Sequence, residues 1–275
     1  MKIRTLLIAL IAFALCSCSL WPSRDTRGQS GSVVDYLYPD AKSSPKLEPG
    51  VTTLRPPVNV GIAFVPGSHW SDTLTEAQQT QTLERVKAAF TGLRYVGRIE
   101  IIPAAYLRSR GGFGNLDQAA RMFNVEVVAL ISYDQVQFKD QNMLSMLYWT
   151  LVGAYVIHGD KYDVQTMVDA AVFDVASRKL LFRAPGTSQI KGSSTLVNFS
   201  EASRNARGAG FDQAFDDLIP RLKGELDRFR DRLKTDKTVR VENRAGYSGG
   251  GSLGWLGLAL VALLAGLSRR LRAER

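Results

Sequence analysis

The stretch from Val125 to Phe138 reads Val-Glu-Val-Val-Ala-Leu-Ile-Ser-Tyr-Asp-Gln-Val-Gln-Phe, and it constrains the fold more than any other part of the chain. Its first half is apolar, as in a strand covered on both faces, whereas Val136 and Phe138 alternate with polar residues. It is therefore expected at the centre of a sheet. Asp163–Val175 and Leu180–Ile190 read as two more long strands, and Ala176-Ser177-Arg178-Lys179 between them reads as a hairpin turn. Upstream, Val58–Val65 is a strand that stops at Pro66-Gly67. Thr73 or Thr75 caps a helix to about Thr91, with Leu83, Val86, Lys87 and Phe90 spaced for one face. Gly97–Ile102 is a short strand, and Pro103 opens a turn or short helix through Tyr106 and Leu107. Asn115 and Gln118, after Gly111-Gly112-Phe113-Gly114, form a capping-box pair before a helix ending at Phe123.

The last element runs from about Glu201 to Leu233. Phe211, Phe215, Leu218, Leu222, Leu226, Phe229 and Leu233 recur every three or four residues, the stripe of an amphipathic helix that Pro220 should kink or split. The order predicts the α/β class: a single sandwich domain, residues 58–234, with a mixed sheet flanked by helices. Residues 19–57 are rich in Ser, Pro, Gly and Arg and lack sustained periodicity. Residues 18–57 therefore read as a flexible tether on which only Tyr36, Leu37 and Tyr38 invite local packing. Residues 235–252 read as a polar linker.

The formal net charge of +9 invites a nucleic-acid reading, but its placement argues otherwise. Without Lys2 and Arg4 at one end, and Arg269, Arg270, Arg272, Glu274 and Arg275 at the other, 29 basic and 25 acidic residues remain. Arg228, Arg230, Arg232 and Lys234 are interleaved with Asp227 and Asp231, which makes a solvated face; no nucleic-acid partner is expected. An apolar content of 45% with 22% charged residues excludes a disordered tail or a disulfide-stapled miniprotein.

The ends carry the most specific motifs. Residues 1–17 have Lys2 and Arg4 before an apolar run from Leu6 to Leu15, the pattern of a signal peptide. Leu15-Cys16-Ser17-Cys18 resembles the bacterial lipobox, in which a small residue precedes an obligatory Cys. The resemblance implies lipidation of Cys18 by lipoprotein-processing enzymes, cleavage after Ser17, and insertion into membrane lipid. Cys16 fits less well because Leu15 precedes it. Ser19, where an Asp would signal inner-membrane retention, makes the outer membrane the expected destination. Both cysteines of the chain lie here, so neither a disulfide nor a Cys-ligated metal is expected in the mature form.

At the other end Gly249-Gly250-Gly251-Ser252 precedes the apolar run Leu253–Leu267 and then Arg269, Arg270 and Arg272. Such a run makes a helix of about 22 Å against a hydrocarbon core of about 30 Å, a marginal transmembrane span. The arginines should stay cytoplasmic, which leaves the rest of the chain on the periplasmic side. Residues 253–275 resemble the GlyGly-CTERM sorting tail, whose implied partner is rhombosortase, a rhomboid-type intramembrane protease. Adjacent glycines suit such a protease, since each unwinds from a helix at about 1 kcal/mol less cost than Ala. With the lipobox, the tail makes the chain similar to rhombotarget lipoproteins. The domain's element order is similar to periplasmic domains of the CsgG, TolB-N and LpoB type, a likeness of fold only.

Signals for chemistry are sparse. His69 and His158 lie far apart, and no HExxH, phosphate-binding loop or GxSxG is present. Asp134, Asp163, Asp169 and Asp174 fall in strands or at their ends. Neither an enzyme nor a cofactor is expected. The segment 143–158 is apolar and aromatic, with Leu147, Tyr148, Trp149 and Tyr155 at its middle. It reads either as packed core or as a surface for membrane or an unknown envelope protein partner.

Overall fold

The computed structural model describes residues 25–39, 51–67, 75–141, 160–195, 197–236 and 238–244. Its elements run β1 (Asp25–Gly31), α1 (Val33–Leu37), β2 (Thr52–Leu54), β3 (Val58–Phe64), α2 (Glu76–Phe90), β4 (Val96–Ile101), a 3-10 turn (Ala104–Tyr106), α3 (Gly112–Phe123), β5 (Val127–Gln141), β6 (Asp160–Asp174), β7 (Lys179–Ser194), α4 (Phe199–Arg232) and β8 (Val239–Val241). The class is mixed α/β, a mixed sheet flanked by helices.

Strand β5 is central. The sheet order is β4-β3-β5-β6-β7, with β3 parallel to β4 and β5, and β6 and β7 antiparallel. One edge of β5 is shared by two strands in succession: β3 pairs with Val127–Ile131, and β1 pairs antiparallel with Tyr133–Lys139. The alternation of β5 then divides the core. Val127, Ala129, Ile131 and Tyr133 pack under α2 and α4, whereas Val128 and Leu130 pack under α1 and α3. Leu83, Val86 and Phe90 of α2 and Phe211, Phe215, Leu218 and Leu222 of α4 cover the first face. Tyr36, Leu37, Leu116, Ala119 and Ala120 cover the second. Helix α2 starts as a capping box, with Gln78 N–H donating to Thr75 Oγ1 at 3.3 Å and Thr75 N–H donating back to Gln78 Oε1 at 2.9 Å. Lys87, expected on the buried face of α2, instead pairs with Glu84 at 3.6 Å.

Several expectations are corrected. The segment 18–57 is not a bare tether: it supplies β1, which closes the edge of β5 left free by β3, and α1, whose Tyr36 is 1% exposed. It also supplies β2, which pairs in parallel with β8 from the expected linker 235–252. Asn115 does not cap α3. The helix begins at Gly112, and Asn115 lies within it, buried, where its Oδ1 accepts from Tyr36 Oη at 3.1 Å and from Arg108 N–H at 2.8 Å. Pro220 does not split α4, which runs 34 residues through it.

Candidate functional site

Cys18, Ser17, Gly249, Gly250, Gly251, Leu147, Tyr148, Trp149 and Tyr155 all lie outside the described residues, as do His69, His158 and the apolar run 253–267. Among the described residues no helix is long and apolar enough to cross a membrane. The fold nevertheless fixes where the chain departs toward each of these positions.

Strand β5 ends at Gln141, paired with Asp160 at the start of β6, so residues 142–159 connect two long antiparallel strands. Asp25 is in register with Lys139. The chain toward Cys18 therefore leaves from the same end of the sheet as the 142–159 connection. At the opposite end, Arg244 Nη2 donates to Glu126 Oε1 at 2.5 Å just before β5 begins, and β8 pairs with β2. The span from Val127 to Lys139 along β5 is about 40 Å at the usual strand rise. The two motif-bearing ends are attached at opposite ends of the domain.

Near the 142–159 end, the sheet beneath α4 turns polar. Gln135 is 3% exposed; its Nε2 donates to Thr166 Oγ1 at 2.8 Å and to the Arg207 carbonyl at 3.1 Å, while its Oε1 has no partner among the described residues. Gln137 Oε1 accepts from Arg207 Nη1 at 3.2 Å. Lys139 lies 4.5 Å over the Phe199 ring at the start of α4, beside Arg204 and Arg207 in a recess of about 290 Å³. On the face of β5 turned away from α4, Asp134 is exposed and Phe138 is 39% exposed; Met167 of β6 is 45% exposed.

Near the other end the same helix and sheet enclose an apolar cleft of about 480 Å³. Its floor is Ile62, Val127, Ala129 and Val172, its walls are Val86 and Phe90 of α2 and Leu222, Leu226 and Phe229 of α4, and its rim includes Val241 and Asn243. The spacing of the α4 residues predicts a core stripe; the relative placement of α2, α4 and β8 shows that part of the stripe lines a cleft.

Three of the four acids singled out by the sequence, Asp163, Asp169 and Asp174, have structural partners. Asp174 is buried and accepts from Ser177 N–H at 2.8 Å and Ser177 Oγ at 2.6 Å, which closes the β6–β7 turn. Asp163 accepts from Gln189 Nε2 at 2.9 Å and pairs with Lys191 at 3.7 Å. Burial raises the Asp169 carboxyl above its ordinary range, against the opposing pull of Arg183 at 3.2 Å. Burial also pushes the Tyr133 hydroxyl up to about 12, with its ring 5.3 Å from that of Phe211. Among the described residues no group of three or more His, Cys, Asp or Glu has metal-binding geometry.

No protein-family model matches the chain, and no curated protein does. Among solved structures the chain is similar to a leucine-to-methionine variant of the PelC dodecamer from Paraburkholderia phytofirmans in space group C2. That pair has 12% identity and a TM-score of 0.24, and covers 70% of this chain and 98% of the other. The PelC dodecamer of the same organism in space group P6 has 14% identity and a TM-score of 0.24, covering 70% of this chain and 97% of that one.

Proposed function

We propose that the chain is a cell-envelope lipoprotein made as a precursor with two processing signals, and that its α/β domain is a non-enzymatic binding or accessory module. The observation that carries this reading is the pairing of the lipobox-like Leu15-Cys16-Ser17-Cys18 with the tail Gly249-Gly250-Gly251-Ser252, apolar run and arginine cluster. Processing enzymes lipidate Cys18 and cut after Ser17. A rhombosortase-type protease cuts near Gly249–Gly251 and removes the membrane-spanning tail. The precursor resides in the inner membrane, and the mature protein is held by its lipid at the outer membrane or cell surface. The attachment of the two ends at opposite ends of the sheet supports a sequential role for the anchors. While both hold one membrane, linkers of a few residues keep the long strands near its plane; loss of the tail frees the domain to pivot about the Cys18 end.

The test is the intact mass of the protein extracted from membranes of its native host and of any released form. A mass that begins at acylated Cys18 and lacks residues beyond about 250 is expected. A mass retaining residues 253–275 overturns the sorting reading, and Cys18→Ala protein that matures normally overturns the lipobox reading.

A second reading is favoured by one observation, the departure of 142–159 at the same end of the sheet as the chain toward Cys18. Here Leu147, Tyr148, Trp149 and Tyr155 contact the membrane or neighbouring copies, and the protein is an oligomeric subunit of an envelope or secretion assembly. Size-exclusion chromatography of Leu147→Asp and Trp149→Asp variants tests it: loss of an oligomer with folding retained is expected, and an unchanged elution overturns it.

A further inference from the structure

Between α2, α4 and the sheet, side chains of the main core cluster also line an apolar cleft. Its volume of about 480 Å³ falls in the range of about 300–1,000 Å³ that accommodates small ligands. The described residues lining it are overwhelmingly aliphatic and aromatic, so an occupant is held by removal of apolar surface from water and not by directed hydrogen bonds. The described charged residues that line it are Arg230 and Lys234, both exposed and both cationic. Arg230 lies 4.5 Å over the Tyr95 ring and pairs with Asp227 at 3.4 Å; Lys234 pairs with Asp231 at 2.7 Å. Those carboxylates are exposed, and such surface pairs are weak enough for either cation to turn to a better anion.

We propose that this cleft binds a long-chain fatty acid, the aliphatic chain lying on Ala129, Ile62 and Phe229 and the carboxylate meeting Arg230 and Lys234. A single chain with one anionic head matches both the apolar interior and the cationic rim. The protein's own Cys18 lipid reaches the cleft only if the intervening chain and the acyl chain are both fully extended. Cys18 is seven residues before Asp25, a reach of about 25 Å at most. Asp25 pairs with Lys139, which stacks on Phe199, and Arg230 is 31 residues further along α4, about 46 Å away. The chain is last described at Arg244, next to the rim residue Asn243, and the tail beyond it, residues 253–275, has four arginines to set against two cations, the wrong sign.

The experiment irradiates membrane vesicles holding the full chain with palmitate that bears a diazirine, then maps adducts by peptide mass. Adducts on the peptides containing residues 222–234 and on those containing Ala129 are expected, displaced by unlabelled palmitate. Ala129→Phe, which fills the floor, lowers them about tenfold, and Leu226→Trp at the partly exposed wall does the same if the first variant fails to fold. Arg230→Glu with Lys234→Glu lowers them about threefold while leaving the interior intact. Cys18→Ala leaves cleft labelling unchanged. Adducts confined to other peptides, or unchanged in a folded cleft-filling variant, overturn the proposal. So does labelling lost in Cys18→Ala, which assigns the cleft to the protein's own lipid. Labelling seen only after deletion of residues 245–275 overturns it in favour of the tail.

Discussion

Helix α4 lies along the whole length of β6 and β7, yet its two halves meet the sheet by different chemistry. Toward the end that carries the chain to Cys18, its contacts are Gln135, Gln137, Thr166, Ser188 and its own Arg207, joined by hydrogen bonds. Past Phe211 the interface is Phe215, Leu218 and Leu222 against Phe64, Ala129 and Val172. The comparison teaches that one helix serves two purposes. The apolar half contributes the burial that holds the domain together, because removal of apolar surface from water is non-directional and large. The polar half fixes orientation and register, because buried hydrogen bonds gain little net energy but penalise every misaligned arrangement.

The sharpest way to break the comparison is to truncate one residue in the apolar half. Phe215 is 1% exposed and its ring stands 5.9 Å from that of Phe64 in an edge-to-face contact. Phe215→Ala is expected to cost about 3–5 kcal/mol in urea unfolding. A loss below about 1 kcal/mol would mean that the apolar half is not the stabilising one. The boundary between the halves is set by close approach. A Cβ on Gly186 of β7 would collide with the Ala214 carbonyl and with Leu218. Gly186→Ala is thus expected to push α4 off the sheet at a cost of about 1–3 kcal/mol. It should also widen the cleft beyond, measurable as a larger fraction of photoreactive palmitate captured by the folded protein.

The apolar half was legible in the sequence and the polar half was not. The spacing of Phe211, Phe215, Leu218 and Leu222 marks a helix face directly, and the apolar run Val127–Ile131 marks the strand beneath it. Gln135, Gln137 and Thr166 carry no such signal, because a polar residue in an alternating strand is ordinarily assigned to solvent. β1 was missed for a related reason. Asp25-Thr-Arg-Gly-Gln-Ser-Gly31 has no strand pattern, and it is a strand because β3 ends at Phe64, opposite Ile131, and leaves the remaining edge of β5 open. β2 and β8 have three residues each and join positions nearly two hundred residues apart, which no local pattern encodes. Asn115 was misassigned because Asn before an apolar run favours a cap, whereas here its amide ties Tyr36 and Arg108 together. Of the candidate sites, the proposed end motifs rest on short linear sequence alone and lie outside the described residues. The cleft was not legible in the sequence, since it exists only in the gap left between two helices.

The polar half offers a smaller and more discriminating test. Gln135→Leu removes the donor to Thr166 Oγ1 and to the Arg207 carbonyl, and also removes the Oε1 that has no partner among the described residues. The two effects oppose each other, and a net loss of about 1 kcal/mol is expected from the stranded Thr166 hydroxyl. Adding Thr166→Val removes that hydroxyl too, and the double variant is expected to return to within about 0.5 kcal/mol of the parent. A double variant that stays well below the parent would show that the pair contributes energy and not only alignment, erasing the distinction between the halves.

The smallest expected effect lies at the seam. Asp217 of α4 accepts from Thr187 N–H at 3.0 Å and from Arg221 Nε at 2.9 Å, and so fastens the helix to β7 beside Gly186. The Arg221 hydrogen bond, and then that from Thr187, hold its carboxyl below the ordinary value of 3.8. A carboxyl lowered in the folded state binds its proton more readily in the unfolded chain. Its contribution is therefore fully present above about pH 4 and is lost as pH falls through the lower folded value. Because the group is at the surface, about 0.2–1 kcal/mol is expected. Asp217→Asn should lower stability by that amount at pH 7 and by nothing once the parent carboxyl is protonated, so the two urea midpoints converge on acidification. A difference that persists unchanged into strong acid would assign the effect to the shape of the side chain. The fastening at the seam would then be packing, continuous with the apolar half, and not the first of the polar contacts.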